Sequence, residues 1–246
     1  MTIGDRFAAA LAAVSAPALA APELLPVRLS RACARVLAVD GAGLSMRDAS
    51  GRRVPLGASS AASSTAEQMQ FTAGEGPCVA SQRTGQPVFA TEEDLRRRWP
   101  MFATLFLSGT PYRGVVALPL RSPPAAGGAL DMYVTRGEAV AELDVFDAVA
   151  VGELISSALA DAAMWSTWSP SEGPAWLHGP APRQRAAVWE AVGKVSVALD
   201  IGSTEALALL RVDAYAAGRP VDDVAADLLA GRRPLEDLRG DRPPDP

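Results

Sequence analysis

The chain has 246 residues, a net charge of −5, two cysteines and one histidine, with 49% hydrophobic and 21% charged residues. That length and balance suit one large or two small folded domains and give no global pull toward nucleic acid or an anionic membrane. Two cysteines, Cys33 and Cys78, make no disulfide scaffold, and the lone His178 argues against a His-rich metal site, a haem pocket or a Ser-His-Asp set.

Residues 1–21 read as a leader. Phe7 to Ala21 is Ala-rich, and Ala18-Leu19-Ala20 resembles a signal-peptidase site. Asp5 cancels Arg6, however, and Ser15 and Pro17 break the apolar run, so a helical or disordered cytoplasmic leader is expected. No run reaches the ~18–20 apolar residues of a membrane span.

Pro22 to Leu37 has helical periodicity. Gly41 to Met46 and Arg53 to Ala58 are short strand candidates around the turn residues Asp48 to Gly51. A Ser/Ala-rich stretch becomes helical from Ser63. Gly74-Glu-Gly-Pro then opens a short helix that Gly85 closes, and Pro87 to Ala90 begins a strand. Thr91-Glu-Glu-Asp is a capped, acidic helix start leading to Trp99 and Phe102. Arg113 to Leu120 and Gly128 to Tyr133 pair as antiparallel strands around the Pro123 to Gly127 loop. A long helix from Ala141 to Met164 follows.

A Trp/Pro-rich linker spans residues 165–183, with Trp165, Trp168 and Trp176 as aromatics that could dock on a neighbouring domain. Three short amphipathic helices occupy residues 184–231. Gly202 is expected to end the first, Ser203 or Thr204 to cap the second, Gly218 to end the second, and Pro220 to begin the third. Residues 232–246 read as a disordered tail.

The expected fold class is therefore α+β. Gly-Glu-Gly-Pro at 74–77, Gly85-Gln-Pro-Val, the Val115–Leu120 strand and the closing helix make residues 22–164 resemble a GAF domain, a small-molecule sensing fold. The resemblance implies an antiparallel sheet flanked by helices, with a long connecting helix. Ala191-x-Gly193, Leu210-Arg211, Ala214 and Val221-x-x-Val224-Ala225 make residues 184–231 resemble an ANTAR domain, a three-helix RNA-binding module of transcription antitermination. Two departures stand out: Trp189-Glu190 replaces the His-Gln of the actinobacterial pattern, and Lys194 replaces a usually apolar residue.

Together the two resemblances imply a cytoplasmic, non-enzymatic regulator in which a sensor domain controls a reader of an RNA hairpin-loop terminator element. The expected RNA contacts are Arg185, Trp189, Ala191, Gly193, Lys194, Arg211 and Arg219, with Lys194, Arg211 and Arg219 as a possible basic face. From Pro182 to Pro246 there are nine basic and eleven acidic residues, so any such face is local. The alternative is a dimeric interaction adaptor that no longer binds RNA.

Candidates to line a sensor pocket are Phe71, Cys78, Phe89, Trp99, Phe102, Val116, Leu118 and Tyr133, each equally readable as core. Cys78 stands at a helix start, where a thiol can be activated, although a buried structural thiol is the plainer reading. The small ligand is unidentified, and no cofactor or metal is expected. A homodimer is expected through Ala141 to Met164, where Phe146, Ala150, Leu154 and Ala158 recur every four residues, flanked by Leu143, Ile155 and Leu159.

Overall fold

Turn glycines and helix caps divide the chain into five strands and eleven α-helices among the described residues, which are 1–48, 50–121, 127–165, 173–235 and 238 of this computed structural model. Strands β1 (Gly41–Arg47) and β2 (Arg53–Ala58) form a hairpin. With β3 (Val88–Thr91), β4 (Gly114–Leu120) and β5 (Gly128–Val134) they make one sheet in the order β2-β1-β5-β4-β3, every pair antiparallel. The fold is α+β.

Side chains alternate along a strand, so the sheet has two distinct faces. Ala42, Leu44, Val116, Leu118, Leu130 and Met132 face the helices α1 (Ile3–Ala13), α2 (Leu25–Val36) and α8 (Val145–Met164). Val115, Ala117 and Tyr133 face α3 (Ala61–Ala73) and α6 (Pro100–Gly109). Each large apolar side chain buried this way contributes about 1.5–3 kcal/mol.

Local chemistry sets the helix ends. Ser60 caps α3 by accepting from the Ser63 amide at 3.1 Å, and α4 (Pro77–Thr84) begins with proline. Thr91 and Asp94 form a capping box for α5 (Glu92–Arg98), whose acidic first turn and basic last turn complement the helix dipole. The helix expected from Ala141 is in fact two. α7 (Ala139–Glu142) stops at an extended Leu143, and the Asp144 carboxylate accepts the Phe146 and Asp147 amides to start α8 afresh.

The expected leader is built into the core. Thr2 and Asp5 box-cap α1, Phe7 and Ala10 are buried, and Arg6 donates to the Val36 carbonyl at 2.8 Å and pairs with Asp147 at 3.2 Å. A 3-10 turn at Ala175–His178 seats Trp176 in the same core, against the turn Pro22–Leu24, whereas Trp165 is exposed. Trp168 lies outside the described residues.

The C-terminal module comprises α9 (Pro180–Leu199), α10 (Ser203–Ala216) and α11 (Val221–Leu229). α9 starts before the expected 184, because Pro180 and Pro182 occupy a first turn where no amide is needed. It ends at Asp200 in the left-handed region, not at Gly202. Gly202 is instead the N-cap of α10, and neither Ser203 nor Thr204 caps it. Leu235 and Leu238 pack on the module; the rest of the expected tail, 236–237 and 239–246, lies outside the described residues.

Candidate functional site

The three-helix module is seated on α3 and β2 of the sheet domain. Arg185 is the centre of this junction. It is 1% exposed, and its Nε and Nη2 donate to the two carboxylate oxygens of Asp222 at 3.2 and 3.3 Å. Its guanidinium lies 3.3 Å from the ring centroid of Phe71, and its Nη1 donates to the Arg53 carbonyl at 3.4 Å. Burial lowers the Arg185 pKa and raises that of Asp222, each against the pull of its partner. Beside the pair, the Val221 amide donates to Thr72 Oγ1 at 2.9 Å.

Phe71 sits on α3 of the sheet domain, yet it packs among Val188, Val192 and Leu210 of the module. Trp189 meets it edge-on at 6.2 Å, and the Arg211 guanidinium lies 4.7 Å from its centroid. Arg52 of the β1–β2 hairpin lies 4.5 Å from the Trp189 ring. Three of the RNA-contact candidates, Arg185, Trp189 and Arg211, therefore converge, and they converge on the sheet domain.

The other four do not join them. Ala191 is buried in the module core, and Gly193 is exposed. Lys194 is exposed and donates to the Leu228 carbonyl at 3.4 Å, at the negative end of α11. Arg219 pairs with Asp227 at 2.9 Å. The possible basic face of Lys194, Arg211 and Arg219 is thus not assembled, because Arg211 is drawn to Phe71 while the other two are tied to α11.

The pocket candidates do not line one cavity. Val116 and Leu118 point to the α1–α2–α8 side of the sheet, whereas Trp99, Phe102 and Tyr133 pack on the opposite side. There, Phe102, Phe106, Tyr112 and Tyr133 fill the space with ring centroids 4.8 to 6.2 Å apart. Phe89 is 39% exposed on β3, and Phe71 belongs to the junction. Strand alternation explains the split: residues of opposite parity on β4 and β5 cannot share a face.

A buried polar cluster lies under α3 and α4 that the sequence reading did not find. Arg53 pairs with Glu67 at 2.6 Å and with Asp131 at 3.5 Å. Tyr133 donates to Glu67 at 2.6 Å, and Gln70 links Asp131 to the Cys78 amide, donating at 3.0 Å and accepting at 2.9 Å. Burial, reinforced by Glu67, pushes the Asp131 carboxyl well above its ordinary value. Burial also pushes the Cys78 thiol well up, so it is a structural thiol despite its place at a helix start. Two signals pointed here: an aspartate inside the apolar run of β5, and Gly43, where a Cβ would stand 2.3 Å from Glu67 Oε1.

Among the described residues no group of three or more His, Cys, Asp or Glu could hold a metal ion, and no helix is long and apolar enough to cross a membrane.

No family model matches the chain, and no curated protein matches it. Among solved structures, the chain is similar to the GAF domain of a phosphoenolpyruvate-protein phosphotransferase from Acinetobacter. That likeness has 15% identity and a TM-score of 0.44, and covers 67% of this chain and 96% of that one. It is also similar to the corresponding GAF domain from Coxiella burnetii, at 17% identity and a TM-score of 0.40, over 66% and 99% of the two chains.

Proposed function

We propose that this protein is a cytoplasmic signal-responsive regulator, in which a GAF-like sheet domain senses a small molecule and holds an ANTAR-like RNA-binding module of transcription antitermination in check. The observation that carries the reading is the docking of Arg185, Trp189 and Arg211 on Phe71. The side chains best suited to phosphates and unpaired bases are occupied by the sensor, so freeing them changes what the module can bind.

The test is a gel shift with an RNA of two hairpins bearing six-base loops, the target that the ANTAR resemblance implies. Phe71→Ala removes the ring on which these side chains dock and changes no residue of the module itself. It should bind RNA more tightly than the unmutated chain. Removing a phosphate-binding cation by further mutation should lower the salt slope by about 0.7–0.9 per cation. If neither protein binds at low salt while circular dichroism shows both folded, the RNA reading fails.

A second reading, a protein-interaction adaptor, is favoured by one specific observation. Arg219 of the module and Arg232 and Arg233 just after it are held by Asp227 and Asp213, which leaves little positive charge there for phosphates.

A further inference from the structure

An open cavity of about 260 Å³ lies where the β1–β2 hairpin, the end of α3, and helices α4, α9 and α10 meet. Its wall includes Arg47, Arg52, Arg53 and Arg211 and the rings of Phe71 and Trp189, and among the described residues it holds no acidic one. Glu67 and Asp131 offset Arg53 from behind the wall. Among the described residues, no ion pair holds Arg47, Arg52 or Arg211.

Three of the lining residues also hold buried donors behind the wall. Arg53 Nη1, Trp189 Nε1 and Arg211 Nε are buried without an acceptor. All three are donors, and a buried donor without a partner is costly. Arg211 reaches the wall past Gly74, whose left-handed φ of 71° and missing Cβ leave room for it; a Cβ there would stand 3.1 Å from Nη1. Burial, with Arg185 and Arg53 nearby, lowers the Arg211 pKa to about 10, a guanidinium without a counter-charge.

We propose that this cavity binds a small organic anion with an apolar ring, its acid group held by the arginines and its ring set against Trp189 and Phe71. Arg47, Arg52 and Arg211, which no carboxylate among the described residues holds, call for an acceptor-rich, negatively charged group. The aromatic walls require an apolar body. The volume lies below the ~300–1,000 Å³ of pockets for drug-sized ligands, which limits the body to about one ring. Arg52 and Phe71 come from the sheet domain, and Trp189 and Arg211 from the module. A bound anion therefore ties the two together and relieves the repulsion among their arginines. This goes beyond the regulatory reading and stands whatever the module recognises.

The experiment is isothermal titration of the full chain with benzoate, phenyl phosphate, inorganic phosphate and benzyl alcohol. Either ring anion should bind at least about tenfold more tightly than inorganic phosphate or benzyl alcohol, and the stronger of the two identifies the acid group. Arg211→Gln should weaken that binding by about tenfold or more, the effect of losing one charged hydrogen bond. Arg52→Gln, an exposed change that leaves the fold intact, should weaken it in the same direction. The proposal is overturned if neither ring anion binds at millimolar concentration, if benzyl alcohol or inorganic phosphate binds equally well, or if both variants bind as the unmutated chain does. No RNA enters the assay, so its failure is separate from failure of the RNA reading.

Discussion

Arg53 carries its charge largely out of water, beneath α3 and against Glu67 and Asp131. Burial opposes that charge, and the acidic surroundings beneath α3, with Glu67 at 2.6 Å, outweigh it, so the guanidinium stays protonated. Arg53→Met would strand the buried Glu67 carboxylate beside Asp131, and about 3–5 kcal/mol of stability should be lost, as when one partner of a buried pair is removed. The loss should be smaller at pH 5 than at pH 8, since a protonated Asp131 needs no cation; urea titrations at the two pH values check this.

Asp131 gives the opposite sign. Its folded pKa is raised, so the folded chain holds a proton that the unfolded chain releases from about pH 4. Stability from this group is full below that pH and declines as pH rises toward the folded value. Asp222, also raised, adds a decline of the same sign. Asp131→Asn should keep the hydrogen bond with Gln70 and flatten part of the decline, leaving the variant at least as stable as the parent at pH 8. A steeper decline in the variant would contradict the assignment. Little of this is legible in the sequence: the aspartate inside the apolar run of β5 marks the place, but an Arg, a Glu and an Asp spread from 53 to 131 carry no spacing signal.

At the scale of elements, the strands and most helix ends are legible. Glycines and capping residues act locally, so Thr91, Gly85 and Gly218 mark boundaries wherever the chain goes next. What fails is anything decided by distant partners. The expected leader is α1 because Phe7 finds a core built from residues far along the chain. Phe7→Ala should therefore cost about 3–5 kcal/mol in thermal or urea unfolding; an effect near zero would return α1 to the status of an appendage.

Helix α8 keeps part of its apolar stripe outside. Phe146 is 84% exposed, and Ala150, Leu154 and Ala158 are half-buried. We propose that a second copy pairs on this face. Phe146→Glu, which leaves the core intact, should shift light scattering at micromolar concentration from dimer to monomer. A monomeric parent chain would dispose of the idea.

For the whole molecule, the division into 22–164 and 184–231 misses how the parts are joined. Phe71 belongs to one domain by sequence and to the other by packing, and Arg185 and Asp222 close the seam. Unfolding should therefore be a single transition, with tryptophan fluorescence and far-UV dichroism superimposing. Asp222→Ala, which leaves Arg185 buried without its partner, should split it into two.

The bond between Arg6 and Asp147 spans 141 residues. At synthesis rates of ~5–20 residues per second, α1 waits roughly 7–28 s after its own synthesis for α8 to emerge. During that interval α1 can lie on α2, but its remaining apolar side stays open to chaperones and to neighbouring nascent chains. The docking of α1 on the sheet domain is thus completed only when a segment far along the chain has been made.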